Sequence, residues 1–342
     1  MKAYQLKTIH DLSKQSLPLE LVEVPIPKLE EQEILVRVLC CGICHTEIDE
    51  IEGRTPPATY PIIPGHQVVG VVKEYNHANR FKEGDRVGVA WINNACGTCE
   101  KCKAGKENLC DQFTATGRDA HGGYAEYLKV HEDFAYPIPD TFTNEEAAPL
   151  LCAGAIGHRS LKLTGMQNGD RLGLTGFGAS GHLVLKLSKY LYPDSEVFVF
   201  ARSKEEREFA LSLGATWTGD SHETAPSRLF AIIDTTPAWS PVVSAMANLE
   251  AGGRLVINAI RKESKDIEAL NKLNYENHLW MEKEIKSVAN ITRLDVEEFL
   301  QLAAEIPIKP KVELYPFERV NEALLDMKNK HIDGAKVLMV AQ

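Results

Sequence analysis

Asp170-Arg171-Leu172-Gly173-Leu174-Thr175 runs straight into Gly176-Phe177-Gly178-Ala179-Ser180-Gly181, and a helical stretch from His182 to Leu191 follows. An apolar strand, a G-x-G-x-x-G turn and a helix, in that order, is the placement a dinucleotide fingerprint requires. The first glycine permits the tight turn. The second lets a pyrophosphate approach the N–H groups at the helix N-terminus, and the third lets helix and strand pack closely. Glycine spacing alone would equally suit a plain turn between a strand and a helix; the flanks favour the cofactor. Gly176, Phe177, Gly178, Ala179, Ser180 and Gly181 are thus the expected phosphate-side residues.

Downstream the strand–helix rhythm persists. Strands are expected at Val197 to Phe200, Phe230 to Ile233, Arg254 to Asn258 and Ile285 to Val288, with helices at Glu205 to Leu213 and around Val242 to Leu249. About six parallel strands in a doubly wound sheet follow from that alternation. A helix from Asp295 to Ala304, an extended Lys311 to Tyr315 and a helix from Val320 to Lys328 precede a last strand, Ala335 to Val340, expected to join a different sheet. Upstream the pattern is different. Leu19 to Val24, Glu33 to Leu39, Gln67 to Val72 and Asp85 to Ala90 are short alternating runs between Pro and Gly punctuation, the mark of a small barrel-like β-domain. The fold class is α/β with a β-rich domain. Residues 1–153 form that domain, 154–289 the nucleotide domain inserted into it, and 290–342 the return of the chain.

At 342 residues, two cores are the default, and 44% hydrophobic content is ample to fill them. A net charge of -10 argues against nucleic acid as a partner. No run of about 18 apolar residues exists to span a membrane. Met1-Lys2-Ala3-Tyr4 passes into strand-like sequence without the apolar core of a signal peptide, so a cytoplasmic setting is expected. Its eight cysteines then read as ligands or free thiols, not disulfides.

Four of them, Cys96, Cys99, Cys102 and Cys110, stand at gaps of two, two and seven residues in an excursion over 94–112. Four thiolates suit a closed, tetrahedral structural zinc; an iron–sulfur cluster or a loop of free thiols are the rivals. Three further pieces carry chemistry: Cys44-His45-Thr46-Glu47 after a strand, Gly65-His66-Gln67, and Cys152 at the end of the β-rich half. Cysteine, histidine and cysteine can make the three-ligand shell, with one open position, of a catalytic zinc. Singly, each also reads as a small buried hydrophobe or an ordinary histidine.

Taken together and in this order, these motifs resemble the zinc-dependent medium-chain alcohol dehydrogenase family over essentially the whole chain. The resemblance implies a GroES-like catalytic domain plus a Rossmann domain. It implies that Cys44, His66 and Cys152 hold a catalytic zinc in the cleft between the domains, and that Cys96, Cys99, Cys102 and Cys110 hold a structural one. The chemistry would be hydride transfer between the carbon of a zinc-bound alkoxide and a nicotinamide ring, on small alcohols or aldehydes. Thr46 would relay the alcohol proton, His45 would sit near the pyrophosphate, Glu47 would orient the zinc histidine, and Trp91 would wall the substrate pocket. The plainer readings are a turn or cap residue for Thr46, solvated residues for His45 and Glu47, and core packing for Trp91.

Two residues depart from the family pattern. Gln67 replaces the usual Glu after the zinc histidine, and Asp49 stands where many members place the last histidine of the proton relay; a carboxylate is a poor acceptor at neutral pH. The short segment from Cys110 to Gly122 resembles the tetrameric bacterial and yeast type. In the family, an acidic residue at the end of the second nucleotide-domain strand selects NAD. That position falls on Ala201, followed by Arg202, Ser203 and Lys204, so NADP(H) is the expected cofactor. The alternatives are a zinc-free enone or quinone reductase of the same superfamily and a non-catalytic NADP-binding regulatory protein.

Overall fold

The computed structural model describes residues 1–14, 16–306, 308–329 and 334–341. The chain divides into two compact units, Met1–Cys152 with Ile291–Gln342, and Ala153–Asn290.

In the first unit a hairpin of β1 (Lys2–Gln5) and β2 (Glu20–Glu23) precedes β3 (Glu33–Ile43), the longest strand. Its alternation, with Ile34, Val36 and Val38 all fully buried, sets one face against the core. Register shifts at Leu35/Val36 and Val38/Cys40 bend it. It delivers the chain into α1 (His45–Ile51); β4 (Val68–Tyr75), β5 (Arg86–Val89) and β6 (Ile92–Asn94) follow. The cysteine-rich excursion contains α2 (Glu100–Lys103), and β7 (Thr114–Ala115) pairs back on β6. Next come β8 (Tyr127–His131), β9 (Ala135–Pro137) and α3 (Asn144–Ala147).

The second unit opens with α4 (Ala153–Thr164), which the Ala-Gly-Ala-Ile-Gly composition conceals from sequence reading. It continues with β10 (Leu172–Thr175), α5 (Ala179–Leu191), β11 (Val197–Phe200), α6 (Lys204–Ser212) and β12 (Trp217–Gly219). After these come β13 (Leu229–Asp234), α7 (Ser240–Asn248), β14 (Leu249–Ile257) and β15 (Glu284–Ser287). The six strands pair in parallel in the order β12-β11-β10-β13-β14-β15. The sheet is the expected doubly wound one; β12, at three residues, is the strand that periodicity is too short to reveal. All four residues of the edge strand β15 are exposed.

The chain then returns through α8 (Arg293–Glu305), β16 (Val312–Pro316), α9 (Val320–Asn329) and β17 (Ala335–Met339). β17 lies antiparallel to β3, Leu338 opposite Cys41, in a sheet ordered β16-β17-β3-β4-β5-β9 with β8 also on β3. The last strand therefore pairs within the sheet of the first unit. Among the described residues no helix is long and apolar enough to cross a membrane.

Candidate active site

Where β3 ends, Cys44 caps α1. Its Sγ accepts the N–H of Thr46 at 3.4 Å, while the Glu47 carboxylate reaches back to the Cys44 N–H at 2.8 Å. This is a capping box with sulfur in place of a hydroxyl. The local helix start thus fixes a possible metal ligand and buries a carboxylate beside it. The other Glu47 oxygen, Oε1, lies 2.6 Å from Nδ1 of His66, and both side chains are almost wholly buried. His66 turns its Nε2 toward two sulfurs, 3.7 Å from Cys44 Sγ and 3.3 Å from Cys152 Sγ. Residues 44, 66 and 152, far apart in sequence, therefore present one N,S,S donor set. Zn–S and Zn–N bonds of about 2.3 and 2.0 Å at tetrahedral angles separate ligand atoms by roughly 3.5 Å, and the set fits that spacing. Burial would raise the Glu47 carboxyl, but the imidazole beside it holds it below its ordinary value. Burial would likewise lower His66, and the Glu47 charge overrides it, pushing the ring well up.

Around this set, His45 is exposed and Thr46 half-buried in the first turn of α1. Asp49 is buried, with its carboxylate 2.6 Å from the Arg54 Nε, so it is committed to an ion pair. Gln67 is buried and its amide nitrogen has no hydrogen-bond partner among the described residues. Trp91 belongs to the core of the first unit, 5.4 Å from the Phe113 ring, with the Arg118 guanidinium stacked 5.1 Å from its own. Sequence reading passed over Glu50. One helical turn beyond Glu47, it is buried with neither oxygen hydrogen-bonded among the described residues. Burial, then the Glu47 charge, push its carboxyl well above the usual range.

The second cysteine set converges as its spacing suggests. Cys96 Sγ lies 3.9 Å from Cys102 Sγ and 3.5 Å from Cys110 Sγ, and all four sulfurs fall within 4.8 Å of one another. Tetrahedral sulfurs on a zinc ion stand about 3.8 Å apart. Cys99 caps α2, and the Cys99 N–H donates to Cys96 Sγ, helping to draw that thiol down to about 6. Between the third and fourth cysteines, Glu107 anchors the loop to α8 by accepting the Arg293 N–H at 2.7 Å. Cys40 and Cys41 lie buried in β3, and burial drives both thiols up.

In the second unit Gly176 adopts φ +82°, which favours glycine, and a β-carbon there would meet Thr235 Oγ1 at 2.7 Å. Gly178 caps α5 with no side-chain cap among the described residues, and a β-carbon on it would point into open space. That empty cradle at an uncapped helix N-terminus suits a pyrophosphate. A β-carbon on Gly181 would press on the Gly176 carbonyl at 2.9 Å. Phe177 is buried against Phe209, Ser180 Oγ donates to the Ala153 carbonyl, and Ala179 occupies the first position of α5. At the end of β11, Ala201 is buried and Arg202 exposed. Ser203 caps α6 by accepting the Glu206 N–H, and Lys204 pairs with Glu208. Arg207, also passed over in the sequence, donates to the carbonyls of Ala201 and Arg202 at 2.7 and 3.0 Å and so braces this turn.

The profile of the alcohol dehydrogenase GroES-like domain matches residues 30–140. The chain is 40% identical over 329 residues to the probable alcohol dehydrogenase AdhA of Mycobacterium tuberculosis, covering 94% of this chain and 93% of that one. It is 34% identical to an alcohol dehydrogenase of Geobacillus stearothermophilus, covering 94% and 96%. Among solved structures, a cinnamyl alcohol dehydrogenase of Sorghum bicolor superposes with a TM-score of 0.81 at 27% identity, over 99% of this chain and 97% of that one.

Proposed function

Because the chain belongs to the zinc-dependent medium-chain alcohol dehydrogenase family, we propose that it interconverts alcohols and aldehydes by hydride exchange with NADP(H), using one catalytic and one structural zinc. The observation that carries this reading is the contrast between the two ligand sets. Cys96, Cys99, Cys102 and Cys110 offer four donors and close a shell, whereas Cys44, His66 and Cys152 offer three. Three donors leave a position for substrate.

Zinc at the three-donor set would act as a Lewis acid, lowering the pKa of the alcohol oxygen. The remaining work falls to the chain's own residues. Glu47 holds the His66 ring by Nδ1 so that Nε2 faces the two sulfurs. Thr46, two residues past Cys44, carries the hydroxyl that relays the alcohol proton, giving up its own hydroxyl proton onward as it accepts that one. Arg54 engages the Asp49 carboxylate, so the proton leaves through His45 or water. The turn from Gly176 to Gly181 receives the pyrophosphate. Arg202 binds the 2′-phosphate, which no acidic residue at Ala201 repels, and the exposed Lys204–Glu208 pair is too weakly held to compete. The exposed edge of β15, with exposed Trp280 and Met281 just before it, supports self-association into the homotetramer. Eight unpaired cysteines suit a reducing cytoplasm.

Metal analysis of purified protein should find two zinc ions per chain, and a panel of aldehydes should drive NADPH oxidation faster than NADH oxidation. An active protein with one zinc or none would overturn the two-site assignment. A protein inert to every aldehyde and alcohol with either cofactor would favour the non-catalytic reading.

A further inference from the structure

With the pyrophosphate at the end of β10 and the adenosine ribose at the end of β11, the remaining half of a dinucleotide falls on the other side of β10. There the next strands are β13 and β14, and ligands of such sheets lie beyond the carboxyl ends of the strands. Two loops leave these ends, 235–239 and 258–266, and they are fastened together. Lys262, 8% exposed, donates to the carboxylate of Asp234, which is fully buried, and to the carbonyls of Thr236 and Ala238 at 2.7 and 3.1 Å. An ammonium group has three N–H donors, and all are used. The Glu263 N–H donates to the Pro237 carbonyl at 2.7 Å, and Asp266 accepts the N–H groups of Trp239 and Ser240 at 3.0 and 2.8 Å. The loop after β13 is also seated against the glycine turn, since Thr235 donates its N–H and hydroxyl to the Thr175 carbonyl.

A buried ion pair is weak evidence for stability, because apolar replacements of both partners are often neutral or better. What this pair does supply is a fixed geometry for two loops at the carboxyl ends of β13 and β14. We propose that Lys262, together with Asp234, is a positioning device for the nicotinamide half of the cofactor. It presets the loops against which that half lies and touches neither the pyrophosphate nor the adenosine. The proposal rests on the cofactor orientation given above.

The test compares Lys262→Met with the double variant Asp234→Asn/Lys262→Met, measuring melting temperature and the Kd of two probes. One probe is NADPH; the other is 2′-phospho-ADP-ribose, the same molecule without nicotinamide. NADH and ADP-ribose replace them if wild type prefers NAD. Lys262→Met strands a buried carboxylate and should lower the melting temperature; the double variant removes that charge and should recover it. Without the clamp on the Thr236 and Ala238 carbonyls, NADPH binding in the double variant should stay about 10-fold or more weaker, while the fragment binds as in wild type. Recovery of NADPH affinity along with the melting temperature would overturn the proposal, as would equal weakening of fragment and cofactor. Wild type that binds neither NADPH nor NADH would overturn the cofactor orientation itself, and the clamp with it.

Discussion

Glu47→Gln is a near-isosteric change whose cost follows from counting donors. The carboxylate accepts the Cys44 N–H at 2.8 Å with one oxygen and sets the other 2.6 Å from His66 Nδ1 as an ion-pair contact. Glutamine has one accepting oxygen, and its NH₂ group must then face a second donor. With the oxygen on His66 the bond back to the Cys44 N–H, half of the capping box, is lost, at about 1 kcal/mol. With the oxygen on Cys44 the imidazole loses a charge-assisted partner worth about 1.5–3 kcal/mol. Glu47 and His66 are almost wholly buried, so bulk solvent does not reach the group left unpaired. The second outcome corresponds to roughly 10- to 100-fold in zinc affinity, the usual cost of losing a partner behind a metal ligand. Zinc affinity is read by competition with a chromophoric chelator, and kcat by NADPH oxidation at saturating zinc. The expected result is a fall in affinity at the catalytic site with the four-cysteine site still filled. Unchanged zinc affinity and kcat, together with a melting temperature lowered by the cap alone, would refute the argument and leave Glu47 a helix-capping residue.

Cys44→Ser and His66→Ala should each abolish turnover while leaving much of the fold, whereas Cys99→Ser should first lower thermal stability; metal content and melting curves separate the two. Thr46→Ala should reduce kcat by about 10²–10⁴-fold, with cofactor affinity less affected, and Thr46→Ser should retain most activity; equal, mild effects would make Thr46 a turn residue. Arg202→Ala should weaken NADP about 10- to 100-fold, and adding Ala201→Asp should turn preference toward NAD; a wild type with higher kcat/KM for NAD would defeat this. Glu50 is raised by burial, so its contribution to stability is full below the ordinary carboxylate value near 4.5 and is lost as pH climbs through the raised one. Wild type should therefore lose melting temperature relative to Glu50→Gln as pH rises from 5 to 9, and parallel curves would show that Glu50 does not titrate as proposed.

Much of this was legible because the signals are local. The glycine turn, the four-cysteine loop and the period of β3 each reside within a dozen or so residues, where spacing alone constrains geometry. The three-donor set is different. Cys44, His66 and Cys152 carry no common local pattern, and only their order relative to the other motifs, through resemblance, singled them out. Partners formed across the fold left no trace. Nothing near Asp49 announces that Arg54 takes its carboxylate, since an arginine five residues on in a turn is commonplace. Glu50 reads as a solvated helix residue until the packing of the first unit encloses it. The Lys262–Asp234 pair spans two strand ends, so a basic residue in one loop gave no hint of an acid buried in another. β12 and α4 escaped for the opposite reason: a three-residue strand and a glycine-rich helix have too little periodicity to register.

The pairing of β17 with Cys40–Ile43 bears on how the protein is made. These two partners are synthesised far apart; at about 5–20 residues per second, the roughly 290 residues between them take roughly 15–60 s to emerge. During that interval the strand that leads into Cys44 has an open edge, while all of Ala153–Asn290 has left the ribosome and can fold. The contiguous cysteine loop can close early. The sheet behind the three-donor set is finished only when the last strand arrives, after the whole of the inserted unit has been synthesised.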